Sequence, residues 1–152
     1  MPYRVDVQIA CQDKLPITTK ILKKWVILAL HDHIKAAELT LRLVDVAEIC
    51  FLNNQYRHQN KPTNVLAFPS EIPDSIKLRY QLLGDVIICP AVLNQESLDQ
   101  NKIPLLHWAH IVIHGVLHLL GFDHIHAAEA ERMEIEEHRL LQILNHKDEV
   151  IK

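Results

Sequence analysis

Residues 104–124 read PLLHWAHIVIHGVLHLLGFDH. Proline suits the first turn of a helix, and glycine suits the left-handed position just past its end. Between Pro104 and Gly121 almost every residue other than histidine is apolar. The pattern predicts one long helix that starts at Pro104 and ends at Gly121. A helix that is apolar on nearly every face belongs in the centre of a domain. The rest of the chain must then be layered around it.

Working outward, residues 4–11 (RVDVQIAC) and 38–45 (ELTLRLVD) alternate apolar and polar positions and predict strands. Pro16 and Thr18 open a helix to about His33. Residues 46–56 have a helical pattern, with Ala47, Phe51 and Leu52 assigned to its apolar face. The polar run 55–64 (QYRHQNKPTN) is a loop. Residues 65–68 form a short apolar strand ended by Pro69, and 69–78 an irregular surface segment. Residues 82–89 (LLGDVIIC) are a strand, Pro90 opens a helix to about Asp99, and Ala127 to about Asn145 is a final amphipathic helix. The predicted fold class is α+β. It is a single domain over residues 1–152, with a mixed four-stranded sheet, a buried metal-binding helix and further helices packed on it.

Length and composition agree with that architecture. A chain of 152 residues is one domain by size, and 49% hydrophobic with 23% charged residues is ordinary for a globular protein. The N-terminus carries charges where a signal peptide needs an apolar run, and no apolar segment is long enough to span a bilayer. A cytoplasmic location and no membrane partner are expected. Cys11, Cys50 and Cys89 are odd in number, widely spaced and without a CxxC pair, which predicts free thiols. The net charge of −3 is uneven. Residues 126–149 carry seven acids against three Lys or Arg, whereas residues 52–68 carry Arg57 and Lys61 and no acid. A distant acidic segment is screened, so a local phosphate site remains open.

The chemistry is concentrated in His114, His118 and His124. Residues four apart on a helix share a face, so His114 and His118 can meet one metal ion. A third ligand further along a straight helix would be too far away. Gly121 allows the chain to turn back, since glycine tolerates positive φ, and His124 can then reach the same ion. This is the ligand spacing of one class of zinc proteases, which place a catalytic glutamate directly after the first histidine. Here that position is Gly115, which argues against a peptidase. Three imidazoles leave the fourth zinc position to water, a catalytic arrangement that lowers the water's pKa to about 7. They also leave the ion's charge uncompensated, which suits a phosphodiester. One zinc ion is expected, and other divalent transition metals could take the same ligands in a purified sample.

Around this core the candidates are less specific. Arg57 offers a planar fork matched to phosphate oxygens, and Lys61 a second cation. Asp123 and Asp85 are candidates to orient a ligand histidine, with Asp123 equally readable as a turn residue. His107 and His110 lack a returning partner and read as hydrogen-bonded neighbours. Glu134, Glu136 and Glu137 read as a solvated helix face.

The stretch HGVLHLLGFDH resembles the signature of the YbeY family of bacterial metal-dependent endoribonucleases, or rRNA maturation factors. LNNQYRHQNKPTNVLAFP (residues 52–69) resembles the family's second signature, and LLGDVIIC and MEIEEHRLLQIL (residues 133–144) also match its pattern. Phe122 stands where the family often has tyrosine. The resemblance implies a zinc site of His114, His118 and His124 and a functional Arg57. It also implies cleavage of single-stranded RNA, maturation of the 3′ end of 16S rRNA in the small ribosomal subunit, and ribosome quality control, with ribosome-associated proteins as partners and no DNA specificity. The alternative is a non-catalytic ribosome assembly factor whose zinc orders the last two helices.

Overall fold

The computed structural model describes residues 2–72 and 80–146, so most of the segment read as irregular surface (69–78) lies outside the described residues. The elements run β1 (Tyr3–Ala10), α1 (Thr19–His31), β2 (Ala37–Val44), α2 (Val46–Arg57), β3 (Val65–Pro69), β4 (Gln81–Ile88), α3 (Pro90–Asp99), α4 (Pro104–Leu119) and α5 (Ala127–His146). The four strands form one mixed sheet in the order β1-β2-β4-β3. The first three are parallel, and β3 lies antiparallel to β4 at the edge.

Strand alternation divides the molecule. Leu39, Leu41, Leu43, Val86 and Ile88 point into the main core, where they meet α1, α4 and α5 through Trp25, Trp108, Val112, Met133 and Leu140. Val44, Leu66 and Ile87 point the other way and pack with Ile49 of α2. The α4 helix lies against β3 and β4 with α1 and α5 beside it. Ten of its residues are buried, as a helix apolar all round requires.

The buried side of α2 differs from the sequence expectation. Ile49 and Asn53 are buried, while Phe51 is 64% exposed. The error follows from counting apolar residues in a helix with little periodicity. The buried amide of Asn53 is satisfied by the Lys61 carbonyl at 2.9 Å, so a polar residue holds the following loop from inside. All three cysteines are free, with Cys89 buried and the other two partly so.

Candidate metal centre

Helix α4 ends in a Schellman turn. The Phe122 N–H donates to the Leu117 carbonyl at 3.0 Å and the Gly121 N–H to His118 at 3.1 Å. Gly121 takes φ +104, in the region that favours glycine. The turn carries His124 back over the end of the helix. One ring nitrogen from each of His114, His118 and His124 then lies within 4.8 Å of the others. The Nε2 atoms of His114 and His118 are 3.1 Å apart. Among the described residues no fourth His, Cys, Asp or Glu joins the group. The cluster is able to hold one metal ion.

Glu137 is the residue that the sequence reading missed. It projects from α5, is only 7% exposed, and accepts from His114 Nδ1 at 2.5 Å and His110 Nε2 at 3.1 Å. Burial alone would raise its pKa, but the bonds from His110 and His114 outweigh it and hold the carboxyl at about 2. An ionised carboxylate only accepts, so the His114 proton shared with Glu137 sits on Nδ1, and Nε2 is the ring nitrogen that faces His118. That is the tautomer a metal ligand needs. The assignment of Glu137 to a solvated face is therefore corrected. The signal was its spacing: Met133, Glu137, Leu140 and Leu144 form one buried stripe, and a lone charge on such a stripe demands a partner. Glu136 is also paired, with His33 and Arg139, whereas Glu134 is exposed and lines the cavity described below.

Neither predicted orienting aspartate occupies that place. Asp85 pairs with Phe68 on the sheet face that meets α2, opposite the face that meets α4. Asp123 serves the turn: its Oδ1 accepts the Ile125 N–H at 3.1 Å, and its pKa is lowered first by a hydrogen bond shared with Glu129. His107 and His110 are hydrogen-bonded neighbours, as expected, to Glu96 and Glu137 respectively.

Electrostatics keep His118 neutral. Burial, then the nearby His114 and His124, lower its pKa to about 4, and the charge of Arg57 adds to the same effect. Arg57, the last residue of α2, is thus within electrostatic reach of the cluster, with an exposed side chain. Lys61 lies in the following loop, also exposed. Beside the histidines is an open cavity of about 520 Å³, bordered by Asn64, Val65, His110, His114, His124 and Glu137 among others.

Gly115 has a packing role. A Cβ there would stand 2.6 Å from Val86 Cγ1 and 3.3 Å from Val65 Cγ2. The position faces the sheet, so a glutamate following His114 has no room.

The family model for endoribonuclease YbeY matches residues 8–145. The chain belongs to this endoribonuclease family. It is 52% identical over 146 residues to Endoribonuclease YbeY of Legionella pneumophila strain Corby, covering 96% of this chain and 92% of the relative. The strain Lens protein matches equally. A Thermotoga maritima protein solved in solution shares the fold, with TM-score 0.61 and 26% identity over 95% of this chain and 88% of its own. The chain is accordingly a nuclease that acts on RNA, with a mixed α+β fold. Among the described residues no helix is long and apolar enough to cross a membrane.

Proposed function

We propose that this endoribonuclease is zinc-dependent and cuts single-stranded RNA at the three-histidine centre, in the cytoplasm. Its substrate is the 3′ end of small-subunit rRNA, and its work belongs to ribosome maturation and quality control. The observation that carries the metal reading is the Glu137–His114 pair, which turns the Nε2 lone pair of His114 toward His118 and the open cavity. The donor set fits one ion: three neutral nitrogens, no fourth side-chain ligand among the described residues, and a carboxylate behind one of them. The family resemblance supports the rRNA assignment.

When bound, the ion supplies Lewis acidity to a phosphodiester and to water. His114, His118 and His124 would hold it, beside the cavity that His114 and His124 border. Arg57 holds a phosphate oxygen pair near His118, a contact that strengthens as charge develops on phosphorus. Lys61 adds a second cation on the path of the strand. Glu137 orients His114 in place of Asp123 and Asp85. A peptidase reading loses its support, because the position that would carry the base is Gly115, where an added side chain would run against Val86.

The test compares metal-loaded wild type, His118→Ala and Arg57→Ala on single-stranded RNA, duplex RNA and single-stranded DNA, with elemental analysis of each. His118→Ala should lose metal and activity together. Arg57→Ala should keep its metal and melting temperature and lose cleavage by roughly 10²–10³-fold, the equivalent of a transition-state contact of about 3–4 kcal/mol. Arg57→Lys should recover little, since an ammonium lacks the paired donors. Full cleavage by Arg57→Ala would remove that residue from the reaction. Full cleavage by His118→Ala would remove the metal centre.

A further inference from the structure

Asn64 stands just before β3 and borders the same cavity as His114 and His124. Its backbone carbonyl accepts the Cys89 N–H at 3.0 Å, which pins the main chain beside the end of β4. Its side-chain Nδ2 lies 3.1 and 3.3 Å from the two carboxylate oxygens of Glu96. A carboxylate accepts and does not donate, so the amide must present its nitrogen to Glu96. The planar group then directs Oδ1 away from Glu96, and among the described residues no donor is bonded to that oxygen.

The orientation is enforced from behind. His107 Nε2 reaches Glu96 Oε1 at 2.8 Å from a side chain only 4% exposed. The other ring nitrogen, His107 Nδ1, is buried with no partner among the described residues. An orphaned buried nitrogen is unfavourable. Through Nε2 the ring completes a polar relay, His107 to Glu96 to Asn64, that runs from the core to the cavity wall and fixes one amide direction.

A fixed acceptor beside a site that cuts phosphodiesters selects what can lie against it. Phosphate oxygens also accept, so they are turned away from Oδ1. The sugar donor that RNA offers at every nucleotide, and DNA lacks, is the ribose 2′-hydroxyl. We propose that Asn64 distinguishes RNA from DNA in this enzyme: its side-chain oxygen, fixed by Glu96, accepts a hydrogen bond from one ribose 2′-hydroxyl of the bound strand. This rests on the reading above that the strand to be cut lies in the cavity beside the histidines.

The test uses metal-loaded enzyme and initial rates on a fluorescent single-stranded RNA reporter. The competitors are oligonucleotides of 2′-fluoro sugars, whose fluorine does not donate, with one ribose restored at each position in turn. For wild type, ribose at one position should tighten the inhibition constant roughly fivefold, the size of one neutral hydrogen bond. Asn64→Ala should lose that step, while its inhibition by the all-fluoro strand stays near wild type. Glu96→Gln should lose it as well, because the amide introduced there can donate to Oδ1 and turn the Asn64 nitrogen into the cavity. The coupling between the restored hydroxyl and each variant is a double-mutant cycle. A step that persists in Asn64→Ala, or no step at any position in wild type, overturns the proposal. His118→Ala runs beside them: if it cleaves the reporter as wild type does, the location of the cut is wrong and the proposal falls with it. If His118→Ala is dead and no ribose step appears, only the Asn64 assignment fails.

Discussion

Replacing Gly115 by alanine tests whether α4 is seated on the sheet by the absence of a side chain. In the helix alone, Gly→Ala should stabilise by about 1 kcal/mol. Here the new methyl would lie 2.6 Å from Val86 Cγ1, well inside contact distance, and Val86 is fully buried on a central strand. Valine is stiff at χ1, and a second neighbour, Val65 Cγ2, stands at 3.3 Å. The helix must therefore lift by several tenths of an ångström or more. Overpacking of this kind costs about 1–3 kcal/mol, and so close a contact with a stiff residue places it at the upper end. The net expectation is a loss of about 1–2 kcal/mol, a fall in melting temperature of roughly 3–8 °C for a domain this size. Urea titration of the metal-free protein should show a lower midpoint with unchanged slope. Val86→Ala alone should also destabilise by leaving a cavity. In the double variant the two changes should compensate, giving a favourable coupling. Gly115→Ala at or above wild-type stability, or no coupling with Val86→Ala, would refute the close-approach argument.

Three further outcomes are expected. Glu137→Gln should lower zinc affinity about 10–100-fold by chelator competition, and Glu137→Leu should do the same while keeping the stripe apolar; unchanged affinity in both would leave Glu137 without a role at the metal. Gly121→Val should weaken metal binding, because a β-branched residue resists φ +104; among the described residues nothing beyond its chain neighbours lies within 4 Å of a Cβ placed there, so the cost begins with the backbone conformation. Metal-free protein should lose stability on acidification in two windows. With His118 lowered to about 4, the unfolded chain takes up its proton first, so stability falls as pH drops from about 6.5 toward 4. Glu137, held at about 2, contributes stability that is present above about 4.5 and lost as pH falls toward 2. A pH titration in which His118→Gln retains the first window, or Glu137→Gln the second, would contradict those assignments.

Much of the fold is written in local signals. Pro90 and Pro104 open α3 and α4 where a missing N–H does no harm, and Gly121 closes the turn with the positive φ its position suggested. Convergence of the three histidines followed from helix geometry and one turn. The supporting residues were less legible because their partners are distant in sequence. Glu137 meets His114 across 23 positions, and residue type alone grouped it with its solvated neighbours. Asp85 failed on parity: an alternating strand shows which residues share a face, but only the packed fold shows which face meets α4. Gly115 read as a lost catalytic group, since nothing local reveals that Val86 lies opposite.

The histidines of α4 are met by carboxylates from two other helices, Glu96 of α3 and Glu137 of α5. Met133, Leu140 and Leu144 adhere to the core through a stripe that repeats along α5, and apolar adhesion of that kind tolerates a slide of one turn. The carboxylate does not. Displaced by a turn, Glu137 would leave His110 and His114 and carry an uncompensated charge into the core, a penalty of about 3–5 kcal/mol for a broken buried pair. Adhesion and alignment are thus assigned to different residues of the same helix. In the aligned position the same carboxylate that fixes the seat of α5 is the acceptor for His114 Nδ1, so the docking of this helix and the orientation of a metal-facing ring depend on one side chain.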